Sequence, residues 1–189
     1  DMGNYYGAGA SGINFHDNTV KYHFQTFSPG RKVKLIETFP LDENLKFRHS
    51  IKSANIRNDQ SYLFGAPYSQ DRFGIGSLPS NRKVFTVKGS MHDPEYMLAK
   101  EFSRFLKDSN IHVAGESYGF RSLGLDPIPY DSLSLLFVHE GQRIKDIIDV
   151  TNLNSVNLFA EGLLNLVGYE IMGFGSTTSG IKGLYDNLQ

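Results

Sequence analysis

Val156, Phe159, Ala160, Leu163, Leu164 and Val167 fall at spacings of three, four, seven, eight and eleven residues from the first, which puts six apolar side chains on one face of a single helix. A stripe this continuous must be covered by another layer of structure. Gly168, directly after the last of them, is the expected stop. A helix over residues 142–150 is expected just upstream, burying Ile144, Ile147 and Ile148, and Ser176-Thr-Thr-Ser179 offers caps for a last helix. The C-terminal part of the chain therefore reads as helices packed on helices.

The N-terminal part is punctuated differently. Gly7, Gly9 and Gly12 break the first stretch, and His16-Asp-Asn18 reads as a hairpin turn before the alternating run Val20-Lys-Tyr-His-Phe24. Ser28-Pro-Gly30 is a second turn, and residues 33–36 a second strand. Residues 61–64 and 84–87 are further short strands, separated by a polar, Gly-rich run over 68–83. Residues 42–58 carry no decisive pattern. Asp93 then caps a helix that has Pro94 at its first position, with Leu98, Phe102, Phe105 and Leu106 as its core stripe and Asn110 as its end. Residues 111–114 return as a strand, completing a small α/β unit, and residues 134–138 read as a buried strand after Pro127 and Pro129. The expected fold class is mixed α/β (α+β), with a strand-rich region over residues 1–118 and a helical portion over 119–189.

Bulk composition excludes several functions. A net charge of -1 across 189 residues, with no Lys/Arg-rich run, leaves no electrostatic footprint for nucleic acid. Zero cysteines exclude a disulfide framework, a thiol nucleophile and a cysteine-ligated metal. No stretch approaches the roughly 18 apolar residues of a transmembrane helix. The six histidines, His16, His23, His49, His92, His112 and His139, show no metal-ligand spacing and read as turn or surface residues. Gly7-Ala-Gly9 with Gly12 mimics a dinucleotide fingerprint only superficially, because no helix follows it. No metal and no cofactor is expected.

The head of the striped helix carries Ser155-Val-Asn157. Alone, Ser-x-Asn is expected about once in a chain of this length, and Ser53-Ala-Asn55 repeats it. Ser155 would also suit a helix N-cap, its hydroxyl accepting from a backbone N–H. The wider context is more specific. The segment running from Asp149-Val-Thr-Asn152 through Ser155-Val-Asn-Leu-Phe-Ala-Glu161 resembles the Thr-Asn turn and Ser-x-Asn-Leu-x-Ala-Glu of class C low-molecular-mass penicillin-binding proteins, the DacB-type serine D-Ala-D-Ala carboxypeptidases. Asp1-Met-Gly-Asn-Tyr-Tyr-Gly-Ala8, Phe85-Thr-Val-Lys-Gly-Ser-Met-His-Asp-Pro94, Asn110-Ile-His-Val-Ala-Gly115 and Gly175-Ser-Thr-Thr-Ser-Gly-Ile181 are similar to further segments of that family, in the same order. One departure is His139-Glu-Gly-Gln-Arg-Ile144, where the family commonly has Ser-Pro-Pro-Leu.

The resemblance implies a penicillin-binding-protein-like transpeptidase domain in which Ser155 relays a proton toward the leaving amine and Asn157 binds substrate backbone and the catalytic lysine. It implies an extracytoplasmic, periplasmic location, with peptidoglycan stem peptides as substrates and β-lactam antibiotics as ligands. It also makes Asp1 and Tyr6 candidates for the pocket that receives the substrate's side chain, carboxylate on ammonium and ring on alkyl stem. The remaining motifs are missing. Ser80-Asn-Arg-Lys83 runs into a strand, Ser179-Gly-Ile-Lys182 lies on the wrong side of Ser155 in chain order, and no Lys-Thr-Gly occurs. The chain thus reads as an internal fragment of a longer enzyme, inactive by itself. A non-catalytic peptidoglycan-binding or structural module is the alternative, and a β-lactamase, which shares the triplet, fits the long inserted region poorly.

Overall fold

The computed structural model describes residues 2–119, 134–135 and 137–188. The chain divides into two compact units, Asp1–Leu123 and Gly124–Gln189. The first unit holds β1 (Thr19–Gln25), β2 (Lys34–Phe39), β3 (Lys46–His49), β4 (Lys52–Ala54) and β5 (Gln60–Phe64). These are followed by β6 (Asp71–Pro79), β7 (Phe85–Ser90) and the α-helix α1 (Pro94–Asp108). β1 is the middle strand of an antiparallel sheet, order β2-β1-β7. β6 organises the other sheet: β3 and β4 run parallel to it along one edge and β5 antiparallel along the other. Val20, Tyr22 and Phe24 of β1 point into a core shared with Leu63, Leu78, Val87 and Met97, following the strand period of two.

Three strands escaped the sequence patterns, for two opposite reasons. β3 and β4 are short and lie in the segment without decisive pattern. β6, at nine residues, is the longest strand here, yet it occupies the Gly-rich run expected to be a connection. Its glycines mark close approach, not a loop. A Cβ on Gly74 would stand 2.9 Å from the side chains of Ile51 and Phe47, and one on Gly76 (φ +96°) only 2.2 Å from the Gln60 carbonyl oxygen.

His16, Asp17 and Asn18 form a short 3-10 turn with three successive positive φ values, 51°, 55° and 49°, in place of the expected hairpin. Asn18 stabilises it by accepting from the Phe15 N–H at 2.8 Å and donating to Asn14 Oδ1 at 2.7 Å.

Helix α1 begins as its sequence dictates. Asp93 accepts from the Tyr96 N–H at 3.0 Å, Pro94 follows, and Asn110 leaves the helix at φ 61°. Its packing differs from the expected stripe, because Met97 is the side chain buried in the core while Phe102 and Phe105 are exposed. Residues 111–114 form no strand, so the α/β unit is not completed.

Beneath α1 lies a buried charged cluster. The Asp42 side chain is 1% exposed, with Lys100 Nζ 3.5 Å from one oxygen and His92 Nε2 3.6 Å from the other. His92, expected at the surface, is buried, as the imidazole against this carboxylate. Burial holds His92 below its ordinary value, outweighing the opposing pull of Asp42 and Asp93; Arg72 and Lys100 also disfavour the imidazolium. Nearby, burial pushes the Tyr22 hydroxyl up to about 12. Arg72 Nη1 donates to the Ala66 and Ser69 carbonyls at 2.9 Å each, in space that a Cβ on Gly65 would occupy.

The second unit contains α2 (Ile144–Asn154), α3 (Asn157–Met172) and α4 (Thr177–Asn187). Residues 134, 135, 137 and 138 form no strand, and Leu135, Phe137 and Val138 are exposed. Gly168 does not end α3. The helix continues to Met172 and stops at Gly173, which takes φ 73° and donates its N–H to the Tyr169 carbonyl at 2.8 Å. Gly168 instead admits α4: its Cβ would lie 2.6 Å from the Gly180 nitrogen, and a Cβ on Gly180 would lie 2.2 Å from the Leu164 carbonyl oxygen. Ser176 caps α4 by accepting from the Ser179 N–H at 3.1 Å. No helix among the described residues is long and apolar enough to cross a membrane.

Two expectations follow. Gly180→Ala forces backbone apart at the α3–α4 contact and should cost about 1–3 kcal/mol in a urea melt, whereas Gly141→Ala, with open space around it, should be near neutral. The unfolded chain protonates His92 near 6.5 while the folded chain resists, so the associated stability is present above about pH 6.5 and lost as pH falls through it. His49, likewise lowered by burial and then by Lys32, adds in the same direction. Melting temperature recorded from pH 8 to pH 5 should therefore drop, and His92→Gln should flatten the profile.

Candidate functional site

Ser155 sits between two helices. Its backbone N–H donates to the Thr151 carbonyl, closing α2, and its own conformation is left-handed, φ 53° and ψ 51°. For a residue with a Cβ this costs about 1–2 kcal/mol relative to the right-handed region. The turn does not use the hydroxyl: Ser155 is exposed, and its Oγ makes no hydrogen bond among the described residues. The expected N-cap role is therefore not what the structure has. Val156 occupies the N-cap position of α3, a residue type that cannot cap, and no side chain takes its place. Asn157 is the first residue of α3 and is exposed, one residue beyond this uncapped junction.

The local sequence explains the arrangement. Thr151 Oγ1 donates back to the Ile147 carbonyl at 2.7 Å, holding the last turn of α2. Arg143 forks onto Asp146 at 2.9 and 3.1 Å, and Lys145 pairs with Asp149 at 2.6 Å, along the exposed side of that helix. Leu158, the next residue after Asn157, is buried and anchors the start of α3. The result is a hydroxyl and an amide presented outward from a short, strained junction between two anchored helices. Strain and a missing side-chain cap coincide at the residue pair that the motif singles out.

The other predicted residues, Asp1 and Tyr6, belong to the first compact unit. Asp1 lies outside the described residues. Tyr6, in the 3-10 turn Tyr5–Gly7, is half exposed, packs edge-on against Tyr5 at 5.3 Å, and accepts from the Asn4 amide at 2.8 Å. Asn4 also accepts from the Leu63 N–H at 3.0 Å, which ties the N-terminal segment to β5. Of the two Ser-x-x-Lys strings, Ser80 ends β6 in a turn with its N–H on the Ala54 carbonyl. Ser179 belongs to the capping box of α4, its Oγ accepting from the Ser176 N–H at 3.0 Å, while Lys182 pairs along the helix with Asp186 at 2.9 Å. Neither string presents a serine and a lysine to each other.

The sequence model of the D-Ala-D-Ala carboxypeptidase 3 (S13) family matches residues 1–189, the entire chain. The chain belongs to the S13 family. Comparison with curated protein sequences gives no match. Among solved structures, two crystal structures of penicillin binding protein 4 (dacB) from Haemophilus influenzae are similar. One, complexed with a novel beta-lactam, has a TM-score of 0.60 at 15% identity and covers 95% of this chain and 40% of the other. The second has a TM-score of 0.69 at 16% identity, over 100% of this chain and 41% of the other. At such identities the likeness is one of fold. This S13 chain spans about two fifths of the length of those proteins.

Sequence reasoning for an S13 member reached Ser155 and Asn157 through local motif. It missed the buried Asp42, His92 and Lys100 cluster, because Asp42 and Lys100 are 58 residues apart and no short spacing signals their meeting. The strained turn yields a direct expectation: Ser155→Gly should raise stability by about 1 kcal/mol in a urea melt by relieving the left-handed conformation. Ser155→Ala, which keeps the Cβ, should not.

Proposed function

We propose that the protein carrying this chain is a serine-type D-Ala-D-Ala carboxypeptidase or endopeptidase that cleaves peptidoglycan stem peptides outside the cytoplasmic membrane and is acylated by β-lactams. The observation that supports this most is the free, exposed Ser155 hydroxyl on its strained turn, one residue from Asn157, in a chain matched from end to end by the S13 family. A motif serine that merely capped a helix would have its hydroxyl engaged with the backbone.

In this mechanism a nucleophilic serine supplied from outside these 189 residues attacks the carbonyl carbon of the D-Ala-D-Ala bond and passes its proton to a neighbouring lysine. Ser155 relays a proton to the departing amine nitrogen as the peptide bond breaks, and water then hydrolyses the acyl-enzyme. The Asn157 amide can donate to a substrate carbonyl and accept from a lysine ammonium, so it orders both partners of the first step. Rigid placement matters because proton relay requires hydrogen-bond distances, and the two anchored helices restrict the junction. Asp1 and Tyr6 are proposed to meet the ammonium and alkyl stem of the substrate's side chain. The exposed apolar side chains Leu153, Phe174 and Tyr185 of the helical unit are proposed to be covered by the rest of the peptidase domain.

Intact-mass detection of a penicillin adduct tests the proposal. The full-length protein should gain one penicillin mass and the 189-residue chain none. In the full-length protein Ser155→Ala should slow acylation by about 10²-fold or more while changing stability by less than about 2 kcal/mol. Absence of any adduct on the full-length protein would favour a non-catalytic peptidoglycan-binding module.

A further inference from the structure

A second concavity lies wholly within the first unit, away from Ser155 in sequence and made from other elements. It is a cleft of about 680 Å³ between the segment after β2, the loop before β6, the first turns of α1 and residues 116–118. That volume is in the range of about 300–1,000 Å³ typical of small-molecule sites.

Its lining is chemically distinctive. Tyr68, Tyr96 and Tyr118 contribute three aromatic rings, and Asn44 and Gln70 two planar amides. Among the described residues, no leucine, isoleucine, valine, methionine or phenylalanine lines it, which disfavours an acyl chain or an apolar peptide. Four carboxylates line it against two lysines, and Lys100 is already paired with buried Asp42, which disfavours phosphate and other anions. What remains is a neutral or cationic ligand, and the three rings and two amides favour one with apolar faces and a polar perimeter. A pyranose ring fits that description: its axial C–H faces pack on tyrosine rings while its hydroxyl and acetamido groups bond to amides and carboxylates.

The floor is rigid. Tyr96 lies beside His92, 6.3 Å between ring centroids with the planes tilted by 53°, and the Lys100 ammonium stands 5.8 Å from its centroid. Its hydroxyl accepts from the Asn44 amide at 3.0 Å, which leaves the Asn44 carbonyl oxygen available. Tyr118, half exposed, stands at the rim with its hydroxyl 3.4 Å from Glu116. The buried Asp42 therefore positions the cleft's central ring through Lys100 and His92, and preorganised rings bind at lower entropic cost.

We propose that this cleft is a saccharide-binding site that takes N-acetylated pyranose rings of an oligosaccharide, with Tyr96 and Tyr118 as stacking platforms and Asn44 and Gln70 as acetamido partners. The site goes beyond the peptidase reading and does not depend on it.

Isothermal titration of the full-length protein with a β-1,4-linked N-acetylglucosamine hexamer tests it. Binding is expected, weakened about tenfold by Tyr118→Ala, weakened also by Gln70→Ala, and retained by Tyr118→Phe, which keeps the ring. Penicillin acylation of Tyr118→Ala should match the unaltered protein, so loss of sugar binding separates from loss of the peptidase site. The proposal is overturned if the unaltered protein does not bind the hexamer, or if Tyr118→Ala and Gln70→Ala bind it equally well. It is overturned too if pentalysine binds in the cleft and the hexamer does not, which would make the site a cation receptor.

Discussion

Leu63 is the residue around which the strand-rich unit closes. Its N–H donates to the Asn4 side chain at 3.0 Å, so the N-terminal segment is hydrogen-bonded to β5 before any apolar contact is counted. Its carbonyl oxygen stands 2.4 Å from where a Cβ on Gly3 would be, and its methyl carbons lie 2.8 and 3.2 Å from the Cβ positions of Gly89 and Gly74. Three glycines on three separate segments thus yield their side-chain space to one leucine that is 1% exposed. The two sheets share a core there because glycine in each of them leaves room for the Leu63 side chain, and interiors packed this closely tolerate no added methyl group without movement.

The helical unit applies the same device at Gly168 and Gly180, where α3 and α4 meet backbone to backbone. With that pair brought together, the start of α3 is held by Leu158 and the end of α2 by Thr151, and the intervening junction has little freedom left. Ser155 absorbs the geometric mismatch in a left-handed conformation. A glycine there would relieve the strain but remove the hydroxyl, and an Asp, Ser or Thr in place of Val156 would cap α3 but draw on the same free N–H groups. The junction gives up stability in two ways while keeping one hydroxyl and one amide exposed, the balance that the role proposed for Ser155 and Asn157 requires.

The buried Asp42, His92 and Lys100 cluster performs a different task. A carboxylate at 1% exposure is costly unless paired, and neither contact, at 3.5 and 3.6 Å, is short. What it gains is position: Lys100 and His92 flank Tyr96, and Tyr96 forms the floor of the tyrosine-lined cleft. Polar burial here orders a surface feature in a unit whose apolar core lies elsewhere.

Local signals were legible wherever short-range chemistry decides the outcome. Asp93-Pro94 starts α1, Ser176 starts α4, β1 alternates, and the stripe from Val156 forms α3, because caps and periodicity act within a turn or two of the chain. The Ser155-Val-Asn157 motif, with its flanking residues, was likewise readable, and so was membership of the S13 family. The glycines were ambiguous. Gly168 resembles a stop and Gly74 and Gly76 resemble a loop, but Gly168 and Gly76 face another backbone and Gly74 faces the side chains of Ile51, Phe47 and Leu63, partners that the local pattern does not reveal. Phe102 and Phe105 carried a helical stripe yet lie exposed, while Met97 faces the core. The sequence by itself determined β1, the presence of the helices, the caps that start α1 and α4, and the motif, since these depend on neighbours a few residues away. Tertiary structure alone decided which glycines are contacts, that Ser155 is strained and unbonded, and that Asp42, His92 and Lys100 meet, because each depends on groups brought together only when distant segments share one interior.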